Sequence, residues 1–379
     1  MSRTYGFLST YPPTQCGLAT FTAALLHHLT AVTPGGEGRV VPVLAGPDDE
    51  PAVTGGTAVA HRMVPGASET AAEVLNDCDV VVVQHEYGIY AGRDGEDVLG
   101  VLARLRVPVV VVLHTVLTAP TPGRRRVLEE VVNHADAVVT LSEAARRRLV
   151  DGYAVERPDE VVVIPHGALP VESPAPGPST DRPLILTWGL LRRGMGIEWA
   201  ISALGALRDL RPRYLVAGRT HPEVLAHEGE DYRRNLRNRA IACGVADLIE
   251  FDPTYRDVDA AAELVGQADV VLLPYDPSEQ VAPGVLVEAL AARKPVVATG
   301  FPHAVELLAD GAGLLVPHRD PAAIAAALRR VLTEPGLAAG MSDRAAGLAP
   351  ASSWTAVANR YRDLAESLLV SCARNSIKI

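Results

Sequence analysis

Short runs of β-branched and apolar residues, each followed by a stretch with helical spacing, recur along the chain and restrict its fold more than any other feature. In the first half they are "RTYGFLS", "RVVPVLA", "DVVVVQH", "VPVVVVLH", "DAVVTLS" and "EVVVIPHG". Continuous apolar strands that alternate with helices indicate a parallel sheet covered on both faces. Helices are expected between them over 17–32, 94–105, 122–134 and 142–150.

The rhythm stops at 171–183, "VESPAPGPSTDRP", where Pro, Gly and Ser dominate and no apolar period survives, as in a linker. It then restarts with "LILTWG", "RYLVAG", "DLIEFD", "DVVLLPY", "PVVATG" and "GLLVPH". The chain therefore reads as two similar doubly wound α/β domains, 1–170 and 184–352. Its 379 residues are too many for one compact core. The last stretch, 353–371, starts with a Ser-Ser cap signal, carries Val357, Tyr361, Leu364 and Leu368 at helical spacing, and has no strand of its own to feed. Ligands bind such sheets beyond the carboxyl ends of the strands, so a cleft between the two domains is the expected site.

Composition removes several function classes. The formal net charge of −10 disfavours a general nucleic-acid binder. No apolar stretch approaches the ~20 residues that cross a bilayer. The opening "MSRTYGFLSTYPPTQ" lacks a charged leader with a long apolar core. Cys16, Cys78, Cys243 and Cys372 are widely spaced with no CxxC pair, which fits reduced, structural thiols in a cytoplasmic protein. Lysine occurs only at Lys294 and Lys378, so any phosphate clamp must be built from arginine, backbone N–H groups or helix ends.

The strand ends carry the candidates. After the first strand, Gly17 opens a helix, where a glycine lets backbone N–H groups approach an anion; an ordinary strand-to-helix turn is the competing reading. His27 and His28, deeper in that helix, read as structural. In "VVVQHEYGIYAG", His85, Glu86 and Tyr87 follow a buried strand directly, a placement typical of ligand-binding loops. His114 ends the central run "VPVVVVLH", from which its imidazole could donate a hydrogen bond to a substrate hydroxyl, or serve as a satisfied core histidine. The arginine triplets 124–126 and 146–148 each span several faces of a helix and read as solvated surface; Arg124 to Arg126, at a helix start, could also meet an anionic acceptor or a membrane surface.

In the second half, "GLLRRGMG" sets Arg192 and Arg193 beside a helix N-terminus, with Gly189, Gly194 and Gly196 freeing the turn. Guanidinium groups suit phosphate oxygens in bidentate fashion. "VAGRTHPEV" repeats the arrangement with Gly218, Arg219 and His221, and two arginine-bearing strand ends argue for a polyphosphate ligand. Farther on, Gln280 lies in an acidic loop, Gly284 opens a helix and Glu288 sits on its second turn. A helix N-terminus with an exposed glycine suits a diphosphate, and a carboxylate one turn in can accept hydrogen bonds from ribose hydroxyls. The apolar neighbours of Glu288 make a free solvent-facing glutamate the weaker alternative. A metal site is not expected: Asp257 reads as a helix cap, Asp77 and Asp79 straddle a helix end and a strand start, and no further oxygen ligands converge on them.

Taken together, "CGLATFT", "QHEYGIY", the histidine ending "VVVVLH", "VIPHG", "GLLRRGMGIE" and the "Q…PG…E" helix resemble a family 4 glycosyltransferase of the GT-B fold, over nearly the whole chain. The resemblance implies two Rossmann-like domains facing across a cleft. It also implies a final helix, 353–379, that crosses back onto the first domain. The implied activity is transfer of a sugar from a nucleotide-sugar donor to a carbohydrate or other hydroxyl acceptor, with retained anomeric configuration and no metal or other cofactor. The donor would lie on the second domain and the acceptor, near His85, Glu86 and Tyr87, on the first; mannosyl and glucosyl groups are the favoured sugars. By the same resemblance His114 contacts the transferred sugar, Gly17 lies near the donor phosphates, and Glu288 holds ribose. Gln280 stands where the first glutamate of the family's pair usually is. Two positions depart from the pattern: Leu190 replaces an arginine and Met195 a lysine, which removes a counter-charge from the donor diphosphate. Arg192, Arg193 or Arg219 would have to supply it. Two other readings stay open, a catalytically weak binding or partner subunit and a sugar-nucleotide epimerase.

Overall fold

A computed structural model describes residues 2–44, 58–59, 63, 66–170, 182–276 and 284–376. Most of the expected linker at 171–183, and Gln280, lie outside the described residues. The chain divides into two compact units: Met1–Gly167 with Trp354–Ile379, and Ala168–Ser353.

The first unit runs β1 (Thr4–Ser9), α1 (Gly17–Val32), β2 (Glu37–Pro42), β3 (Ala58–Val59), α2 (Ser68–Leu75), β4 (Val80–His85), α3 (Asp97–Leu102), β5 (Val109–Leu113), α4 (Pro122–His134), β6 (Ala137–Thr140), α5 (Glu143–Gly152) and β7 (Val161–Val163). Its seven strands are in the order β3-β2-β1-β4-β5-β6-β7, with parallel pairing throughout. All of β4 and β5 is buried, as the unbroken valine runs require of strands covered on both faces. Helices begin where a side chain satisfies the first free N–H groups: the Thr121 hydroxyl accepts from Arg124 N, and the Ser142 hydroxyl from Ala145 N. The helix expected over 94–105 is shorter, because Asp94 adopts a left-handed backbone at φ 60° and confines Arg93–Gly95 to a separate 3₁₀ turn.

The second unit runs β8 (Leu184–Trp188), α6 (Ile197–Ala203), β9 (Arg213–Ala217), α7 (Pro222–Glu228), α8 (Asp231–Ala242), β10 (Ile249–Asp252), α9 (Val258–Gln267), β11 (Val270–Leu273), α10 (Gly284–Ala291), β12 (Val296–Thr299), α11 (Pro302–Leu308), β13 (Gly313–Val316), α12 (Pro321–Thr333) and α13 (Leu337–Leu348). Six parallel strands follow the order β10-β9-β8-β11-β12-β13. In both sheets the order reverses beside the first strand of the unit, which creates the topological switch point at which doubly wound folds bind ligands. Asp257 caps α9 by accepting from Ala260 N, as its sequence position suggested.

The chain ends in α14 (Trp354–Ser376), which packs on α1 of the first unit. Arg3 donates to both carboxylate oxygens of Glu366 at 2.9 and 3.0 Å, and Arg362 donates to Val32 O at 3.2 Å. The anchor is Trp354, only 3% exposed, whose ring meets Phe21 edge-on at 5.3 Å and stacks on His28 at 6.1 Å. Truncating a buried tryptophan removes its transfer energy and leaves a cavity, so Trp354→Ala should destabilise the first unit by about 3–5 kcal/mol. Denaturant titration measures this, and a midpoint equal to wild type would show that the Trp354 ring is not an anchor of that unit.

Candidate functional site

Three loops at the carboxyl ends of β8, β9 and β11 are tied into one surface in the second unit. Leu191 N–H donates to Arg219 O at 2.8 Å and His221 N–H donates to Leu191 O at 2.9 Å, which extends the β8–β9 pairing beyond the strands. Gly218, at φ 129°, sits so close to the neighbouring backbone that an added Cβ would lie 2.0 Å from Gly189 O. Gly196, at φ 67°, faces β11 in the same way: a Cβ there would lie 1.7 Å from Pro274 O. Only glycine meets both the left-handed backbone and the contact. On the far side Asp276 N–H donates to Gly194 O at 2.9 Å, and the Asp276 carboxylate accepts from Trp199 Nε1 and Arg319 Nε, both at 3.0 Å.

This packing separates the arginines that the sequence leaves equivalent. Arg193 is engaged: it pairs with Glu228 at 2.8 Å and lies over the Tyr232 ring at 5.7 Å. Arg192 is exposed and has no side-chain hydrogen bond or ion pair among the described residues. Its charge and that of Glu288 both act on the buried Tyr275 hydroxyl, whose pKa is pushed well up, chiefly by burial. Arg219 and His221 are half-buried with polar partners of their own. Met195 is 5% exposed and belongs to the core of the unit, so the residue standing at the lysine position packs inward.

Glu288, on α10, is half-buried and accepts a hydrogen bond from the Trp188 indole at 3.1 Å. Burial raises its pKa, and the indole bond opposes the rise. Trp188 was not singled out from sequence, although its place directly before Gly189 at a strand end was a usable signal. A second unforeseen residue is Arg233, on α8 and 3% exposed: it donates to Gly218 O at 2.7 Å and fixes the carbonyl that precedes Arg219.

The first unit gathers histidines. At the start of α1, a Cβ on Gly17 would meet nothing within 4 Å, so internal packing does not demand glycine there. His114 follows β5; it lies edge-on to Phe21 at 4.9 Å, and its Nε2 is 2.7 Å from Gln84 Oε1. His166 meets the same phenylalanine at 5.0 Å and donates Nδ1–H to Gly167 O at 2.6 Å. Burial pushes His114 down to about 3 and His166 down to about 4, so both rings are neutral near pH 7. Glu86 is held by its neighbours: its carboxylate accepts from Tyr87 N at 3.0 Å and from the Thr115 hydroxyl. Tyr87 is buried beneath Arg124, whose guanidinium lies 5.4 Å above its ring.

His85 corrects the sequence expectation. It is 1% exposed, both ring nitrogens are buried without hydrogen-bond partners among the described residues, and its ring packs edge-on to Tyr87 at 5.2 Å. It is the last residue of β4, a strand buried along its whole length, whereas Glu86, the next residue, is only half-buried. Burial holds its pKa down at about 4. Unfolding frees such a ring to bind a proton below its ordinary pKa, so its contribution to stability is complete near neutrality and is lost as pH falls through the window from about 6.5 to about 4. His85→Phe should therefore shrink the loss of unfolding free energy between about pH 7 and about pH 5 by about 2 kcal/mol. Parallel denaturant titrations at the two pH values measure it; an unchanged loss would mean that His85 is not a buried neutral ring.

Among the described residues no group of three or more His, Cys, Asp or Glu is placed to hold a metal ion, and no helix is long and apolar enough to cross a membrane.

Comparison with known proteins follows the same division. The family model described as Glycosyltransferase Family 4 matches residues 17–168, and that described as Glycosyl transferases group 1 matches residues 182–334. The D-inositol 3-phosphate glycosyltransferase of Frankia alni is 30% identical over 298 residues, 71% of this chain and 71% of that protein. The protein of the same name from Kineococcus radiotolerans is 33% identical over 303 residues, 67% of this chain; the chain spans just under two thirds of its length, 65%. Among solved structures, Anabaena HepE in complex with UDP and glucose has a TM-score of 0.75 at 17% identity, covering 96% of this chain and 100% of that one. Sucrose-phosphate synthase from Thermosynechococcus elongatus has a TM-score of 0.74 at 18% identity, covering 97% and 100%. At such identities the likeness is one of fold, the GT-B architecture of two parallel α/β units.

Proposed function

The chain belongs to glycosyltransferase family 4, and on that premise we propose that it moves a hexosyl group, mannosyl or glucosyl, from a nucleotide-diphosphate sugar to an acceptor hydroxyl, with retained anomeric configuration and without a metal. The second unit takes the donor. Glu288, steadied by Trp188, receives the ribose hydroxyls, and the amide hydrogens at the start of α10 together with Arg192 receive the diphosphate. In the reaction the bond from the anomeric carbon to the diphosphate oxygen breaks as the acceptor oxygen bonds the same carbon on the same face, and the acceptor's hydroxyl proton passes to the departing diphosphate oxygen. The departing diphosphate gains negative charge, and the Arg192 guanidinium stabilises that charge. His114 contacts the transferred sugar from the first unit, and Glu86 is the polar group for the acceptor.

The observation that carries this reading is Arg192. Of the arginines that could replace the missing lysine, Arg193 is neutralised by Glu228, whereas Arg192 has no ion pair among the described residues, and its charge, like that of Glu288, acts on the Tyr275 hydroxyl. Arg192→Ala should lower transfer by on the order of 10²–10³, the usual cost of deleting one group that stabilises developing negative charge. Arg193→Ala should cost much less. Both are measured as release of nucleoside diphosphate from UDP-, GDP- and ADP-sugars, with simple sugars and inositol 3-phosphate as acceptors. The acceptor choice includes the compound in the names of the relatives. Full activity in Arg192→Ala would remove Arg192 from the mechanism. The inward-facing Met195 favours a second reading, a protein that binds a sugar nucleotide without turning it over. A thermal shift with a sugar nucleotide in the absence of product release would support it.

A further inference from the structure

Gln84 and His114 are a buried pair on neighbouring strands. Gln84 is fully buried on β4, and its Oε1 lies 2.7 Å from His114 Nε2. Its own amide nitrogen is buried and has no partner among the described residues, so the contact to His114 is the only side-chain hydrogen bond this amide makes there. His114 Nδ1 has no hydrogen-bond partner among the described residues. A neutral imidazole holds one ring proton, and the partner of one nitrogen decides the role of the other. The ring is kept neutral by burial and by the proximity of His166 and His85.

We propose that Gln84 is a positioning residue: its side-chain oxygen holds the His114 proton on Nε2 and so presents Nδ1 to the transferred sugar as a hydrogen-bond acceptor. The ring then serves in the opposite sense to the donor role expected from sequence. Its importance for transfer rests on the reading of His114 given above, whereas the proton assignment rests on the contact alone.

Imidazole nitrogen-15 spectra of the full chain test the assignment, with the His114 signals identified by their loss in His114→Asn. Wild type should show a protonated Nε2 and a bare Nδ1. Gln84→Glu, which keeps an accepting side-chain oxygen, should keep Nε2 protonated, and Gln84→Leu, which offers no acceptor, should mix the tautomers. A wild-type ring protonated on Nδ1, or a Gln84→Leu ring unchanged from wild type, would overturn the proposal. In steady-state kinetics Gln84→Leu should lose at least about tenfold in kcat with donor KM little altered, and Gln84→Glu should recover most of it. A shifted tautomer with unaltered kcat would overturn the positioning role. A wild type with no transfer at all would defeat the proposed function, with the tautomer still decided by the spectra.

Discussion

Two backbone hydrogen bonds, from Leu191 N–H to Arg219 O and from His221 N–H to Leu191 O, hold the working end of the second unit together. They carry the pairing of β8 and β9 past the last strand residues, so loops that would otherwise move independently become one rigid edge. Gly218 and Gly196 make this possible, because their carbonyl neighbours occupy the space of a Cβ. The hydrogen bond from Asp276 N–H to Gly194 O closes the third side. With the loop braced at both ends, Met195 turns into the core and Arg192 turns out, and the charge on this edge comes from arginine. A guanidinium suits that duty: it stays protonated and matches phosphate oxygens in its own plane.

The first unit is organised by the opposite means. Its centre is a set of rings, with His114 and His166 kept neutral by burial: Phe21 touches His114, His166 and Trp354, and His28 stacks on Trp354. Neutral rings can lie this close because none carries a charge to repel the others. Trp354 is the first residue of α14, so the last helix supplies part of the wall around His166.

Much of this was visible in the sequence. The valine runs, the threonine and serine caps and the prolines at helix starts all act locally, and α1, α4, α10, β4 and β11 lie where the residues place them. The candidate site was legible by position and less so by role. Which arginine is free depends on Glu228, 35 residues from Arg193, and no local pattern pairs them. The contact between Gln84 and His114 likewise depends on strand register across residues 30 apart. The shortened helix after Gly92 reflects the left-handed Asp94, a backbone choice that composition does not reveal.

The central claim is that the braced edge of the second unit is built for a diphosphate. Calorimetric titration of the wild-type chain with uridine and guanosine, and then with UDP and GDP, tests it directly. If Arg192 and the amide hydrogens of α10 grip the phosphates, one of the diphosphates should bind at least about a hundredfold more tightly than its nucleoside, about 2.7 kcal/mol or more. Equal affinity for nucleoside and diphosphate in both pairs would contradict the account.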